Sequence, residues 1–579
     1  MRLHVDSLQP RALERNKKES ALPAAAMRIS SDMKERHECT ACRHVKCLAK
    51  SALWGKRAIG LAGGLLAVVF SGFAQPKTGD AVFQPDFEGA GTLRAWGAEQ
   101  NQNVRLATGF QSAQSLQVEK QTNTIGSASV HLSLPIDQMR GARLACRAMV
   151  RADGVTPPPK PWHGIKFMLH ITTPSGSLWP QQDNLFGTFD WRRVQFKAVI
   201  PADATATELV LGLEAVNGRA QFDDIKITVA HGARVRPATP PAGPVFTGHD
   251  EPRLRGAMIS PDITPESLRV LGQEWNANLI RWQLIRYGPS AQIKTAAGYD
   301  EWLEGALAKL DAALPLCAKY GVRVVLDLHS PFGGTPTVSG YVGTDTGLFA
   351  NRTAQDKFVA DWERMARRYR DSPVIWGYDL ANEPVEEEVA EGCDDWQALA
   401  TRAARAVRAV NKRHAIIVEP TPWGGPEGLE NLEPLPVPGV VYSVHMYLPH
   451  QFTHQGVHGG ETGIEYPGMI GGAPWDKAAL RRVLQPVRDW QRDYGVQIYL
   501  GEFSAIRWAP NDSAYRYLKD CIELFEEFGW DWSYHAFREW SGWSVEHGQN
   551  RGDTAPSKTP TSREKLLREW YGKNVKAPK

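Results

Sequence analysis

At 579 residues the chain is too long for one ordinary domain, so two folded domains with extra segments are expected. Hydrophobic residues make up 42% and charged residues 23%, ordinary values for a globular protein. A net charge of +3 excludes nucleic acid or an acidic polymer as the main ligand.

The chain opens on a polar, basic stretch without hydrophobic period. Lys56-Arg57 then precedes an apolar run over 58–70 and the small residues Ser71-Gly72-Phe73-Ala74. Basic flank, short apolar core and small residues are the parts of a secretory signal. The run is short for a membrane span, which takes about 20 residues. We expect residues 1–74 to be leader and signal, cut near Ala74-Gln75, and the mature chain to be secreted or periplasmic with no membrane attachment. Cys39, Cys42 and Cys47 form a C-x2-C-x4-C string with no second half at ligand spacing, so no metal site is expected. Cys146, Cys317, Cys393 and Cys521 are far apart, and spacing leaves their pairing open.

Residues 80–230 alternate short apolar runs with turn signals. Examples are Arg143-Leu-Ala-Cys-Arg-Ala-Met-Val150 and Ile165-Lys-Phe-Met-Leu-His-Ile171. Period two at this spacing predicts an antiparallel sandwich. The ending Gly218-Arg-Ala-Gln-Phe-Asp-Asp-Ile225, with Phe189-Asp-Trp-Arg-Arg-Val194 before it, resembles jelly-roll carbohydrate-binding modules. The resemblance implies sugar stacking, for which Trp162, Trp179 and Trp191 are the candidates. Core packing is the competing reading for Trp191. Residues 231–252, rich in Pro, Ala and Gly, read as a semi-extended linker.

Residues 253–572 alternate strand-like and helix-like stretches. Eight apolar runs fall at 254–260, 278–284, 322–329, 374–381, 415–419, 440–447, 497–502 and 530–537. Eight repeats predict a (β/α)8 barrel, with a doubly wound sheet as the alternative. Such barrels carry function where strands end. Read in order, those ends offer Arg281, His329, Asn382-Glu383-Pro384, Glu419-Pro420, His445 with Tyr447, and Glu502. A single ionisable residue after a strand is usually a cap; recurrence at successive strand ends is not required for stability. Two carboxyls, Glu383 and Glu502, suffice to cleave an acetal: one protonates the leaving oxygen, the other meets the oxocarbenium-like centre. Arg281 and Tyr447 would keep Glu502 ionised and aimed, and Asn382 would reach a sugar 2-hydroxyl.

The ordered set Arg281, His329, Asn382-Glu383-Pro384, His445-Met-Tyr447 and Gly501-Glu502-Phe503 resembles glycoside hydrolase family 5, the cellulase family of retaining glycosidases. The resemblance implies Glu383 as acid/base, Glu502 as nucleophile, the other five as support, no cofactor, and a polysaccharide or oligosaccharide substrate. It also implies a Trp after the eighth strand. Trp540 is the choice there and Trp532 the next; His535, Arg538 and Glu539 depart from the pattern. A β-linked glucan is the expected substrate, with mannan, xyloglucan or exo attack on an oligosaccharide as alternatives. A glycan-binding protein without turnover is the non-enzymatic reading. Long loops after strands three and six, 330–340 and 449–475, are expected to shape the cleft. In the second, His450, His454 and His458 recur every four residues, but flanking Pro and Gly argue against a helix.

Overall fold

A computed structural model describes residues 79–576 apart from 90, 122–125, 234–236, 238, 387–388 and 391. The chain divides into Met1–Phe73 and Ala74–Lys579, and the description falls on the second unit. The expected leader and signal lie outside the described residues.

The N-terminal part is two antiparallel sheets. Six strands pair in one (Ala81–Phe83, Val104–Ala107, Ser115–Lys120, Gly218–His231, Arg143–Val155, Gly187–Val199) and four in the other (Ser127–Ser133, Ala206–Glu214, Gly164–Thr173, Gly176–Leu178). Arg143–Val155 shows why: every second residue from Leu144 to Val150 is buried, and those side chains meet Phe167, Leu169 and Leu211 of the facing sheet. Trp162 and Trp179 are about half exposed, and the Trp179 ring stacks 3.9 Å from that of His170. Trp191 is part-buried and packs against Phe110.

Eight parallel strands close a barrel: β1 (Arg255–Ile259), β2 (Leu279–Gln283), β3 (Arg323–Asp327), β4 (Ile375–Asp379), β5 (Ala415–Val418), β6 (Val440–Met446), β7 (Ile498–Phe503) and β8 (Asp531–Phe537). Helices follow the strands, with starts written in sequence. Thr295, Asn351, Asp395 and Asp476 each accept the N–H three residues on, which satisfies a donor the helix leaves open. Gly321, Gly495 and Gly529 end three of these helices in the left-handed conformation.

The barrel interior is layered. Leu254, Leu279, Val325, Trp376, Ala415, Ile417, Val441 and Tyr499 fill its lower part with apolar side chains. Further along the same strands sit Arg281, Asp327, Asp379 and Glu502. The apolar floor keeps water out from below, so charges above it interact strongly. The approach to β1 belongs to this floor. Trp376 donates to the Thr247 carbonyl, and His249 lies 3.1 Å from Asp531. Cys146, Cys317, Cys393 and Cys521 are free thiols. Among the described residues no helix is long and apolar enough to cross a membrane.

Candidate active site

Arg281 is the hub of the site. It stands in the middle of β2, not at its end, and is fully buried. Its Nε donates to Asp379 (2.9 Å), Nη1 to Glu502 (2.6 Å), and Nη2 to Glu419 (2.8 Å) and Asn382 (3.1 Å). Asp327 adds a fourth carboxylate at 3.3 Å. A buried guanidinium needs such partners, but one cation cannot neutralise four anions. Burial pushes the Asp379 carboxyl well above the usual range despite Arg281, and its Oδ1 has no hydrogen-bond partner. Burial thus favours the protonated form of Asp379.

Glu502 lies near the end of β7. The β6–β7 pairing skips Gly501, a bulge that sets Glu502 opposite His445. Its Oε1 accepts from Arg281, and its Oε2 from the Tyr447 hydroxyl at 2.8 Å. Burial raises its pKa, but His445, His535, Arg281 and His329 outweigh that and hold the carboxyl well below the usual range. Glu502 is thus ionised and aimed.

Glu383 follows β4 with φ of 45°, a left-handed conformation. Its backbone N–H donates to Glu419 Oε2 at 2.8 Å, and its Oε1 lies 2.8 Å from His445 Nδ1. The Glu383 side chain keeps 21% of its surface exposed, against 5% for Glu502, so it is the carboxyl open to the cleft. An oxygen of Glu383 and one of Glu502 lie within 4.8 Å of each other. His445 is 3.1 Å from Glu419 on its other side. Burial lowers the pKa of His445; Glu419, Glu502 and Glu383 raise it more, so the imidazole is cationic.

The other expected residues join this cluster. His329 lies 2.8 Å from Asp327 through Nδ1. Asn382 commits its oxygen to Arg281, which leaves its amide NH2 for substrate. Trp540 stands at the end of β8 among other indoles. It is 42% exposed, and its ring neighbours are Trp508 and Trp543. Trp532 points outward from β8, where it bonds Glu526 and stacks on Tyr571. Trp543 is the indole near the site, packed against Tyr447 and His535 but buried.

Sequence reasoning missed Asp327 and Asp379, which sit inside runs that read as apolar strands. It noted Glu419 only as a strand ending. It left out Tyr341, whose hydroxyl is buried beside Glu383 and Glu502, and gave His535 no role. His450–Thr453 does form a helical turn, contrary to expectation. His450 and His454 are kept neutral by burial, His454 down to about 3, and both rings pack against Tyr447. They form one side of a cavity of about 560 Å³ within the loop after β6.

The model of the cellulase family, glycosyl hydrolase family 5, matches residues 247–544. The chain belongs to glycosyl hydrolase family 5. It is a glycoside hydrolase of endoglucanase-like type. This family 5 chain is 27% identical over 273 residues to endoglucanase C of Acetivibrio thermocellus, covering 42% of this chain and 76% of that one. It is 23% identical over 246 residues to cellodextrinase A of Ruminococcus flavefaciens, covering 41% and 70%. A structure of Thermotoga maritima Cel5A with cellobiose aligns at 23% identity with a TM-score of 0.43, over 57% of this chain and 99% of that one.

Proposed function

We propose that the chain is a secreted, retaining β-glycosidase that hydrolyses a β-linked glucan by double displacement. The separation of Glu383 and Glu502 carries this reading. Oxygens within 4.8 Å fit the roughly 5–5.5 Å between carboxyls that lets one of them attack carbon directly. The wider gap of about 6.5–9.5 Å needed for an intervening water does not fit.

Ionised Glu502 attacks the anomeric carbon while Glu383 gives its proton to the leaving oxygen. A covalent glycosyl ester forms on Glu502. Glu383, now a carboxylate, takes a proton from water, which attacks the same carbon and releases Glu502 with net retention. The 2.8 Å contact of Glu383 Oε1 with His445 Nδ1 holds the acid in place beside the leaving oxygen. Asn382 offers its amide to the sugar beside the acid, and Tyr447 returns its hydrogen bond to Glu502 when the ester breaks.

Secretion is supported by the basic flank and apolar run over 56–70. Glycan binding by the sandwich is supported by the exposed faces of Trp162 and Trp179.

Replacing Glu502 with Gly should abolish turnover, and azide should restore it as a glycosyl azide of inverted configuration. Rescue of a Glu383 variant but not of the Glu502 variant would exchange the two roles. Inverted sugar from the wild-type chain, read by proton NMR of the first product, would refute double displacement.

A further inference from the structure

The end of β8 holds a polar pair beside the nucleophile where a stacking surface was expected. His535 Nδ1 lies 3.4 Å from Glu502 Oε2 and also contacts the Tyr447 hydroxyl. Its Nε2 lies 3.3 Å from Glu539 Oε2. His535 therefore bridges the nucleophile and a third carboxylate, and one imidazole width separates the two. That span is within a single pyranose ring.

Among the described residues, the ring that touches both Glu502 and Tyr447 here is the imidazole of His535. Trp543 lies behind His535 and is 7% exposed, so it has no free face to offer. Trp540 is exposed but turns to Trp508 and Trp543. On the β8 side of Glu502 the open side chains are His535 at 15% and Glu539 at 25%.

A pyranose lays a C–H face on an indole to good effect. The same face laid on an ion pair would strip its water and return nothing. A hydroxyl would return a hydrogen bond. Both ring nitrogens of His535 are occupied, one by Glu502 and Tyr447, the other by Glu539. Glu539 pairs with His535 Nε2 through one oxygen, and a carboxylate has about four acceptor positions. The free acceptor is therefore on Glu539.

We propose that Glu539 is a sugar-binding residue that accepts a hydrogen bond from one hydroxyl of the ring bonded by Glu502, and that His535 is the positioning residue that fixes Glu539 relative to the nucleophile. The inference rests on the glycosidase reading above and adds how the cleaved sugar is recognised: by a charged hydrogen bond at the end of β8 instead of by aromatic stacking.

The test uses the full chain and 2,4-dinitrophenyl β-cellobiosides, each lacking one hydroxyl on the ring next to the aglycone. In the wild type, loss of one particular hydroxyl should lower kcat/KM by roughly tenfold to hundredfold, the range for a hydrogen bond to a charged group. In Glu539→Ala that loss should vanish, while losses from other positions persist. His535→Phe should blunt the same position. Glu539→Gln keeps the shape of the side chain and should give an intermediate loss there, so the test stands even if the alanine variant folds poorly. A purely structural role would lower all substrates together and leave the pattern unchanged. Parallel patterns in wild type and Glu539→Gln overturn the assignment alone. A wild type that cleaves none of the set, the parent included, overturns the glycosidase reading and this inference with it.

Discussion

Single groups in this site owe their state to neighbours on other strands. Tyr447 donates to Glu502 from just past the end of β6, and removing that donor leaves the carboxylate with one fewer hydrogen bond. Glu502 must be ionised to attack, so Tyr447→Phe should raise its pKa and move the acid limb of the kcat/KM profile to higher pH. Turnover at the optimum should fall roughly tenfold to hundredfold, the worth of a charge-assisted hydrogen bond; an unmoved limb would show that Tyr447 does not tune Glu502. Asp379 tests the opposite sign. Its folded pKa is raised by burial, so it keeps a proton that the unfolded chain releases above the ordinary carboxylate range. That difference destabilises the fold increasingly as pH rises from the unfolded pKa toward the folded one. Asp379→Asn replaces the neutral acid by a neutral amide that can still accept from Arg281. Its Tm relative to wild type should therefore rise as pH climbs above the ordinary carboxylate range, and a constant difference would mean that Asp379 is ionised. The two residues also mark what a sequence discloses. Tyr447 stands two places after His445 at a strand end, where polar residues attract notice. Asp379 stands inside Ile375–Asp379, a run whose other members build the strand, and its inward aim depends on a barrel that must first be assumed.

Elements were more legible than their registers. Each barrel strand is a short buried run, and the helices between them start on Thr, Asn or Asp caps, so alternation alone predicts eight repeats. The bulges are not written in that pattern. Pairing of β6 with β7 skips Gly501, and strict period two would have given Glu502 the opposite face from Tyr499. The β8 ending resists the same pattern: several Trp follow one another there, and only packing shows that Trp532 faces out and Trp543 is covered. Gly501 is where β7 depends on having no side chain. A Cβ at that position would stand 2.6 Å from Ser443 Oγ and 2.8 Å from His445 Nε2. Gly501→Ala must push His445 and with it the contact to Glu383. Since a misplacement of about 1 Å can cost on the order of 100-fold in rate, kcat should fall by about that factor while the far-ultraviolet spectrum stays that of the wild type. Activity within twofold of wild type would show that the strand absorbs the methyl without moving His445.

The whole molecule is less modular than a sandwich, a linker and a barrel in series. Lys197 of the sandwich reaches across to Glu386, three residues after the acid, at 2.7 Å, and the other oxygen of Glu386 accepts from the Trp396 N–H at the start of a barrel helix. A cavity of about 450 Å³ beside this contact is lined by residues of both parts. Composition marks 231–252 as linker, yet its last residues are anchored. Thr247 holds Trp376, His249 meets Asp531, and Glu251 lies 2.7 Å from Arg323, all against the bottom of the barrel. Proline and alanine counts carry no trace of these contacts, because three residues make them. Two truncations separate the parts. Removing residues 75–245 takes away the sandwich and Lys197, so it should lower turnover of soluble glucan only severalfold, through a looser loop after β4. Removing 75–252 also strips His249 and Glu251 from buried partners, and breaking a buried ion pair costs about 3–5 kcal/mol. The longer deletion should therefore melt well below the shorter one at every pH where Asp531 is ionised. Equal melting temperatures would mean that the segment is a linker to its end, and that the barrel closes its own floor.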